Sequence, residues 1–121
     1  LEALTYRLLK EANVPSEYEQ RSYELIEGFR PKTECWEHRY DRFMLRDTKI
    51  SSISYTPDFT CPNGTWVIEA KGRANESFPI RWKLFRRHVE QYFPIPVLFL
   101  VTNEKDIRMA IERIKELKND E

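Results

Sequence analysis

Cys61-Pro62-Asn63-Gly64 is the stretch that most narrows what this chain can fold into. Asn-Gly readily supplies positive φ and closes antiparallel hairpins. Upstream, residues 54–60 (SYTPDFT) read as a short strand. Downstream, residues 65–71 (TWVIEAK) read as a second, ended by Gly72. The second strand alternates, with Trp66, Ile68 and Ala70 on one face and Thr65, Val67, Glu69 and Lys71 on the other. A hairpin of this apolar character is expected to bury both faces, yet it carries Asp58, Glu69 and Lys71.

The rest of the chain supplies a frame for that hairpin. Leu1, Leu4, Leu8 and Ala12 recur at helical spacing, Leu9 widens the stripe, and Val14-Pro15-Ser16 ends the helix expected over 1–13. Glu2 falls near the edge of that stripe. Residues 17–27 read as one strand, broken by Gly28 and Pro31, and the polar residues 30–41 read as a loop. Residues 42–55 read as one or two strands turning near Asp47-Thr48. A helix is expected over 78–93 with Pro79 in its first turn. Ile80, Leu84, Phe85, Val89, Tyr92 and Phe93 would cover its inner side, and Lys83, Arg86, Arg87 and Glu90 its outer side. The apolar run 95–101 reads as an interior strand. Asn103, with Asp106 three residues on, caps a last helix whose inward stripe is Ile107, Ala110, Ile111, Ile114 and Leu117. This order predicts an α/β fold, a mixed β-sheet flanked by α-helices.

Length and composition set outer bounds. The 121 residues are expected to form a single domain, 1–121, with its own core. Twenty basic and twenty acidic side chains cancel, so any nucleic-acid surface must be a local patch. No apolar run approaches the roughly 20 residues of a membrane span, so no membrane partner is expected. The chain opens on Leu1 rather than Met and is expected to be a segment of a longer one. Cys35 and Cys61 read as reduced thiols of an intracellular protein. Cys35-Trp-Glu-His38 offers half a zinc site, but the second ligand pair is absent.

The three charged residues of the hairpin suggest chemistry. Glu69 and Lys71 are two apart and point the same way, and a register that pairs Asp58 with Glu69 sets two carboxylates side by side. Half-buried acids repel, and a hard divalent cation with oxygen ligands relieves the repulsion. A lysine beside such an ion can orient water or stabilise developing charge, as phosphodiester hydrolysis requires. Pro-Asp … Glu-x-Lys is a short spelling of common residues, and taken alone it reads more plainly as a surface hairpin with one Glu–Lys pair. Arg73, Arg81, Lys83, Arg86 and Arg87, against the single acid Glu76, form a basic patch suited to phosphates; a solvated helix face is the plainer reading. Trp82 within it is either a base-stacking residue or core.

The linked spelling YTPDF, then PNG, then a hydrophobic strand ending EAKG before a basic helix, resembles the bacteriophage endodeoxyribonuclease I family of Holliday-junction resolvases. These belong to the PD-(D/E)xK nuclease superfamily with the restriction-endonuclease-like fold. The resemblance is close over residues 55–72 and looser from Leu1-Glu2 to about residue 101. It implies a magnesium-dependent endodeoxyribonuclease, with manganese substituting and one or two ions per site. Asp58 would bind metal, Glu69 would be a second ligand and the Ala70 carbonyl a third, while Lys71 would position or activate water. Leu1-Glu2 matches the Leu-Glu pair that opens the family's first helix, so Glu2 would complete the metal site and join the catalytic set. The resemblance also implies a branched DNA substrate and a homodimer that exchanges its first helix and strand, so that the early Glu serves the partner's site. It implies an intracellular setting, the cytoplasm of a bacterial host if the chain is phage-encoded. The stretch between Glu2 and Asp58 is longer than the family pattern, which marks an insertion around 28–50. Two other readings stay open: a nickase or a restriction- or transposition-type cutter of linear duplex, and a non-catalytic DNA-binding module.

Overall fold

The computed structural model describes residues 1–72 and 77–119, without the side chain of Asn119. In chain order the elements are α1 (Glu2–Glu11), β1 (Glu17–Tyr18), β2 (Tyr23–Ile26), β3 (Trp36–Arg39), β4 (Arg42–Leu45), β5 (Ile53–Tyr55), β6 (Phe59–Thr60), β7 (Trp66–Ala70), α2 (Phe78–Val89), β8 (Val97–Val101) and α3 (Glu104–Asn119). The fold is mixed α/β. Its contacts divide it into two compact units, one of residues 1–23 and 55–121 and one of residues 24–54. No helix among the described residues is long and apolar enough to cross a membrane.

The larger unit is built on a four-stranded sheet of order β1-β6-β7-β8. β6 pairs antiparallel with β7 (Phe59↔Ile68, Thr60↔Val67) and β1 antiparallel with β6, while β7 and β8 run parallel with Ile68 opposite Phe99. The turn expected at Asn63-Gly64 forms with Gly64 alone at positive φ, 77°, and its N–H donates to Cys61 O at 2.8 Å. Asn63 instead accepts from the Thr65 N–H and hydroxyl, so its side chain rather than its backbone shapes the turn. All five residues of β7 are buried. One face carries Trp66, Ile68 and Ala70 into a core with Leu8, Leu9, Phe59, Val101 and the Ile107–Ile111–Ile114 stripe of α3. α3 begins as expected: Asn103 Oδ1 accepts from the Asp106 N–H at 2.9 Å, and Asp106 Oδ2 reaches back to the Thr102 N–H at 3.0 Å. On β7's other face, Tyr55 ties α2 to the sheet, its hydroxyl on Glu69 and its ring 4.8 Å from Phe85. His88 is half-buried, its ring nitrogen 2.8 Å from the Tyr92 hydroxyl.

Several expectations are corrected. The strand read over 17–27 is two strands, because Glu19 turns the chain at a left-handed φ of 49°. The apolar run 95–101 is not interior. Among the described residues β8 pairs only with β7 and forms a sheet edge, with Leu100 exposed. α2 stops at Val89; beyond it Tyr92 is partly exposed against His88 and Tyr23, and Phe93 stands wholly in solvent. Ile80 is also exposed, since it precedes the buried Phe85 by five residues, about 140° round the helix.

The smaller unit holds the β3–β4 pair and most of the β2–β5 pair, whose end residues Tyr23 and Tyr55 belong to the larger unit. Phe29 and Ile50 bridge through reciprocal backbone bonds of 2.9 and 2.8 Å. Gly28 permits their approach, since a Cβ there would lie 3.0 Å from Ile50 O and from Ser52 N. The segment read as a loop, 30–41, contains β3, which pairs with β4 from Trp36↔Leu45 to Arg39↔Arg42. Most side chains of this hairpin are exposed on both faces, so the alternation that marks a half-buried strand is missing.

Candidate metal centre

The ladder Phe59↔Ile68, carried one residue further, sets Asp58 opposite Glu69. Both acids are nearly enclosed, 6% and 4% exposed. Two bonds lock the pairing: the Ala70 N–H donates to Asp58 Oδ2 at 2.8 Å, and the Asp58 N–H donates to Glu69 Oε1 at 3.3 Å. The same Glu69 oxygen accepts from the Tyr55 hydroxyl at 2.5 Å, and its other oxygen lies 3.5 Å from Lys71 Nζ. The Lys71 ammonium also stands 4.6 Å above the Phe78 ring, a cation–π contact that holds the chain toward Glu69. A Cβ at Gly72 would meet nothing within 4 Å, so packing there does not require glycine.

Glu2 arrives from the first turn of α1, where the helix dipole favours an acid. Its carboxylate accepts from the Tyr18 hydroxyl at 2.6 Å. Glu19 arrives from the left-handed turn after β1, whose N–H bonds Asp58 O at 2.9 Å. Glu2, Glu19 and Asp58 each offer a carboxylate oxygen within 4.8 Å of the others, Glu2 and Glu19 from the surface and Asp58 from the interior. Glu19 is the member that sequence reasoning missed. Nothing in Ser-Glu-Tyr-Glu-Gln marks a left-handed residue there, because Glu adopts that conformation rarely.

The electrostatics follow from crowding acids in a dry place. Burial pushes the Asp58 carboxyl from 3.8 up to about 7, and the charges of Glu69 and Glu2 add to the rise against the opposing Ala70 N–H. The Tyr55 hydroxyl is held far above its usual range by burial and then by its bond to Glu69. The Tyr18 hydroxyl is raised by its bond to Glu2. Both phenols therefore act as donors that hold the acids in position.

This donor set fits a hard divalent cation. The ligand atoms are all carboxylate oxygens, and their spread is close to the roughly 4–5 Å that separates oxygens across an ion with bonds of about 2.0–2.6 Å. The protonated fraction of Asp58 near neutral pH marks the electrostatic strain that such a cation removes.

The expected residues thus fall into two adjoining groups. Glu2 and Asp58 converge with Glu19 within one chain. Glu69 and Lys71 form the neighbouring pair, joined to the first group through the Asp58 and Ala70 backbone. Of the basic patch, Arg81, Lys83, Arg86 and Arg87 are all exposed on α2. Lys83, Arg86 and Arg87 share an outward arc, with Arg81 round the helix from them. Arg73 lies outside the described residues. Trp82 is half-buried against Phe78, with centroids 5.8 Å apart and planes 28° apart, as part of an aromatic cluster. No protein-family model, no curated protein and no solved structure matches this chain.

Proposed function

We propose that this chain is a magnesium-dependent endodeoxyribonuclease of the PD-(D/E)xK type, with a restriction-endonuclease-like sheet, that hydrolyses phosphodiester bonds in branched DNA and works as a homodimer. The observation that carries the reading is the placement of Asp58 opposite Glu69, with the Ala70 N–H on Asp58 and Lys71 beside Glu69. A surface hairpin with an incidental Glu–Lys pair has no reason to bury both acids. Nor has it reason to bring two more carboxylates to one of them.

Glu2, Glu19 and Asp58 would hold the ion, with Glu69 and the Ala70 carbonyl as the further ligands that the family resemblance implies. A bound divalent ion supplies neutralisation of the phosphate oxygens and a lowered pKa for water. The chain's own residues do the rest. Tyr55 and the Asp58 N–H fix the Glu69 carboxylate, and Glu69 in turn aims the Lys71 ammonium. From there Lys71 can donate to the attacking water's oxygen or to the phosphate as charge builds. Tyr18 fixes Glu2 at the open rim of the site. Lys83, Arg86 and Arg87 give phosphates a point-charge and bidentate surface on α2.

The test is cleavage of a four-way junction and of a linear duplex of the same sequence in magnesium. Wild-type cleavage that is lost in Asp58→Ala, with the fold retained by circular dichroism, supports the reading. Full activity in that variant overturns it. Preference for the junction in direct competition supports the branched substrate, and equal cutting of both reassigns it to linear duplex.

A further inference from the structure

The β3–β4 hairpin leaves its best binding groups in solvent. Its register places Trp36, His38, Phe43 and Leu45 on one face, and all four are exposed. Trp36 and Phe43 stack on each other there, with ring centroids 5.8 Å apart and planes 25° apart. At the turn, Arg39 lies directly opposite Arg42, a like-charge pair that weakens a ladder. Arg39 is 3.3 Å from Glu37, whose same oxygen also lies 3.7 Å from Arg46. Arg42 has no ion pair among the described residues. The two-residue turn is Tyr40-Asp41, both left-handed at φ 53° and 60° where Asn-Gly would sit without strain. Tyr40 is 83% exposed and Phe43 68%.

We propose that this hairpin is a DNA-binding arm. Arg39 and Arg42 take backbone phosphates, and Tyr40 at the tip stacks on a base left unpaired or unstacked at a break or branch in the duplex. An anion is the partner that relieves the Arg39–Arg42 repulsion, and DNA places anions on both sides of an accessible base. A second copy docking through the same tip would add two more arginines to the pair. The inference takes its substrate from the nuclease reading above, but it concerns binding alone and needs no metal.

Fluorescence anisotropy with the full chain in EDTA tests it, using a labelled junction, a nicked duplex and an intact duplex. Tyr40→Asn combined with Asp41→Gly keeps a hairpin turn while removing the aromatic tip. It is expected to lower affinity for junction and nicked duplex roughly tenfold relative to the intact duplex, the scale of one stacked base, while the lost charge of Asp41 acts on all three DNAs alike. Arg39→Gln combined with Arg42→Gln is expected to lower affinity for all three and to reduce the slope of log affinity against log salt by about 2. Wild-type affinities and salt slope in both double variants overturn the inference. So does a wild type that binds none of the three DNAs, or a loss of self-association in the tip variant without loss of DNA affinity. Arm-dependent binding without cleavage in magnesium would sink the nuclease reading and leave the arm standing. Cleavage and binding that ignore the arm would do the reverse.

Discussion

Two regions of this molecule set like charges side by side, and they do so in opposite surroundings. Around Asp58 the charges are carboxylates, and Asp58 and Glu69 are almost shut off from water. At the tip of the β3–β4 hairpin they are the guanidinium groups of Arg39 and Arg42, in solvent. Water and salt screen the second pair, so its repulsion is weak and any polyanion can relieve it. The interior does not screen the first, so the chain surrounds it with fixed partners: the Tyr55 hydroxyl, two backbone N–H groups and Lys71. What remains is carried by the proton that Asp58 retains up to about pH 7. The charge and shape of the buried arrangement suit a compact cation, and those of the exposed one suit an extended anion.

The largest expected effect breaks the comparison on the buried side. Asp58→Ala, Glu69→Gln and Lys71→Ala should each lower cleavage by roughly a thousandfold or more, since each removes a charge that the proposed reaction uses. Their melting temperatures should separate them from mere unfolding. Asp58→Asn without metal at pH 8 should melt at or above the wild type, because the carboxylate it removes is disfavoured there. A large drop in its Tm would mean that Asp58 is a structural acid.

Next in size is the pH dependence that the same residue imposes. The folded-state pKa of Asp58 is raised from 3.8 to about 7, so the folded chain binds this proton more tightly than the unfolded one. The associated stability is fully present below about pH 4 and is lost as pH rises through about 7. The slope approaches 1.4 kcal/mol per pH unit, for a total on the order of 4 kcal/mol. Urea titrations of metal-free protein between pH 4 and 8 should show this decline. Asp58→Asn should flatten it, and magnesium or manganese should restore stability at the alkaline end. A wild-type curve identical to that of Asp58→Asn would show that the acids do not crowd one another.

Legibility in the sequence divides along the same line. β7 could be read because burial on both faces demands an unbroken apolar run, and an acid or lysine inside such a run stands out. The cap of α3 could be read because Asn103 and Asp106 act over three residues. The pairing of Asp58 with Glu69 needed only the turn length and the period of two. Glu19 could not be read, since its place in the acid group depends on one left-handed residue with no glycine or asparagine to signal it. Nor could β3, whose side chains are mostly exposed and show no alternation. Ile80 and Phe93 are apolar and read as inward, but helix phase and helix length place them outside.

A smaller effect concerns the partners that hold the acids. Tyr55→Phe removes the hydroxyl from Glu69 Oε1 and leaves that oxygen with the weaker 3.3 Å bond from the Asp58 N–H. Loss of a buried donor to a charged group costs about 1–3 kcal/mol. The variant should unfold at lower urea with an unchanged m-value. Its kcat should fall more than its KM rises, because Glu69 then aims Lys71 less firmly. An unchanged kcat would separate Glu69 from the chemistry.

The smallest effect belongs to the hairpin and should stay there. Asp41 holds φ at 60°, a conformation that costs a residue with a Cβ roughly 1 kcal/mol more than it costs glycine. Asp41→Gly removes that strain. It also removes the one acid at the tip, so the Arg39–Arg42 repulsion rises slightly and the net gain is smaller than the strain itself. Because β3 and β4 belong to a different compact unit from β7, they can open without disturbing the sheet that carries Asp58 and Glu69. Amide exchange should therefore slow at the hairpin, most visibly at the Arg46 N–H bonded to Cys35 O, while β7 amides exchange as in the wild type. If protection rose equally in β7, the two regions would be one cooperative unit, and the strain at the tip would be coupled to the buried carboxylates rather than kept apart from them.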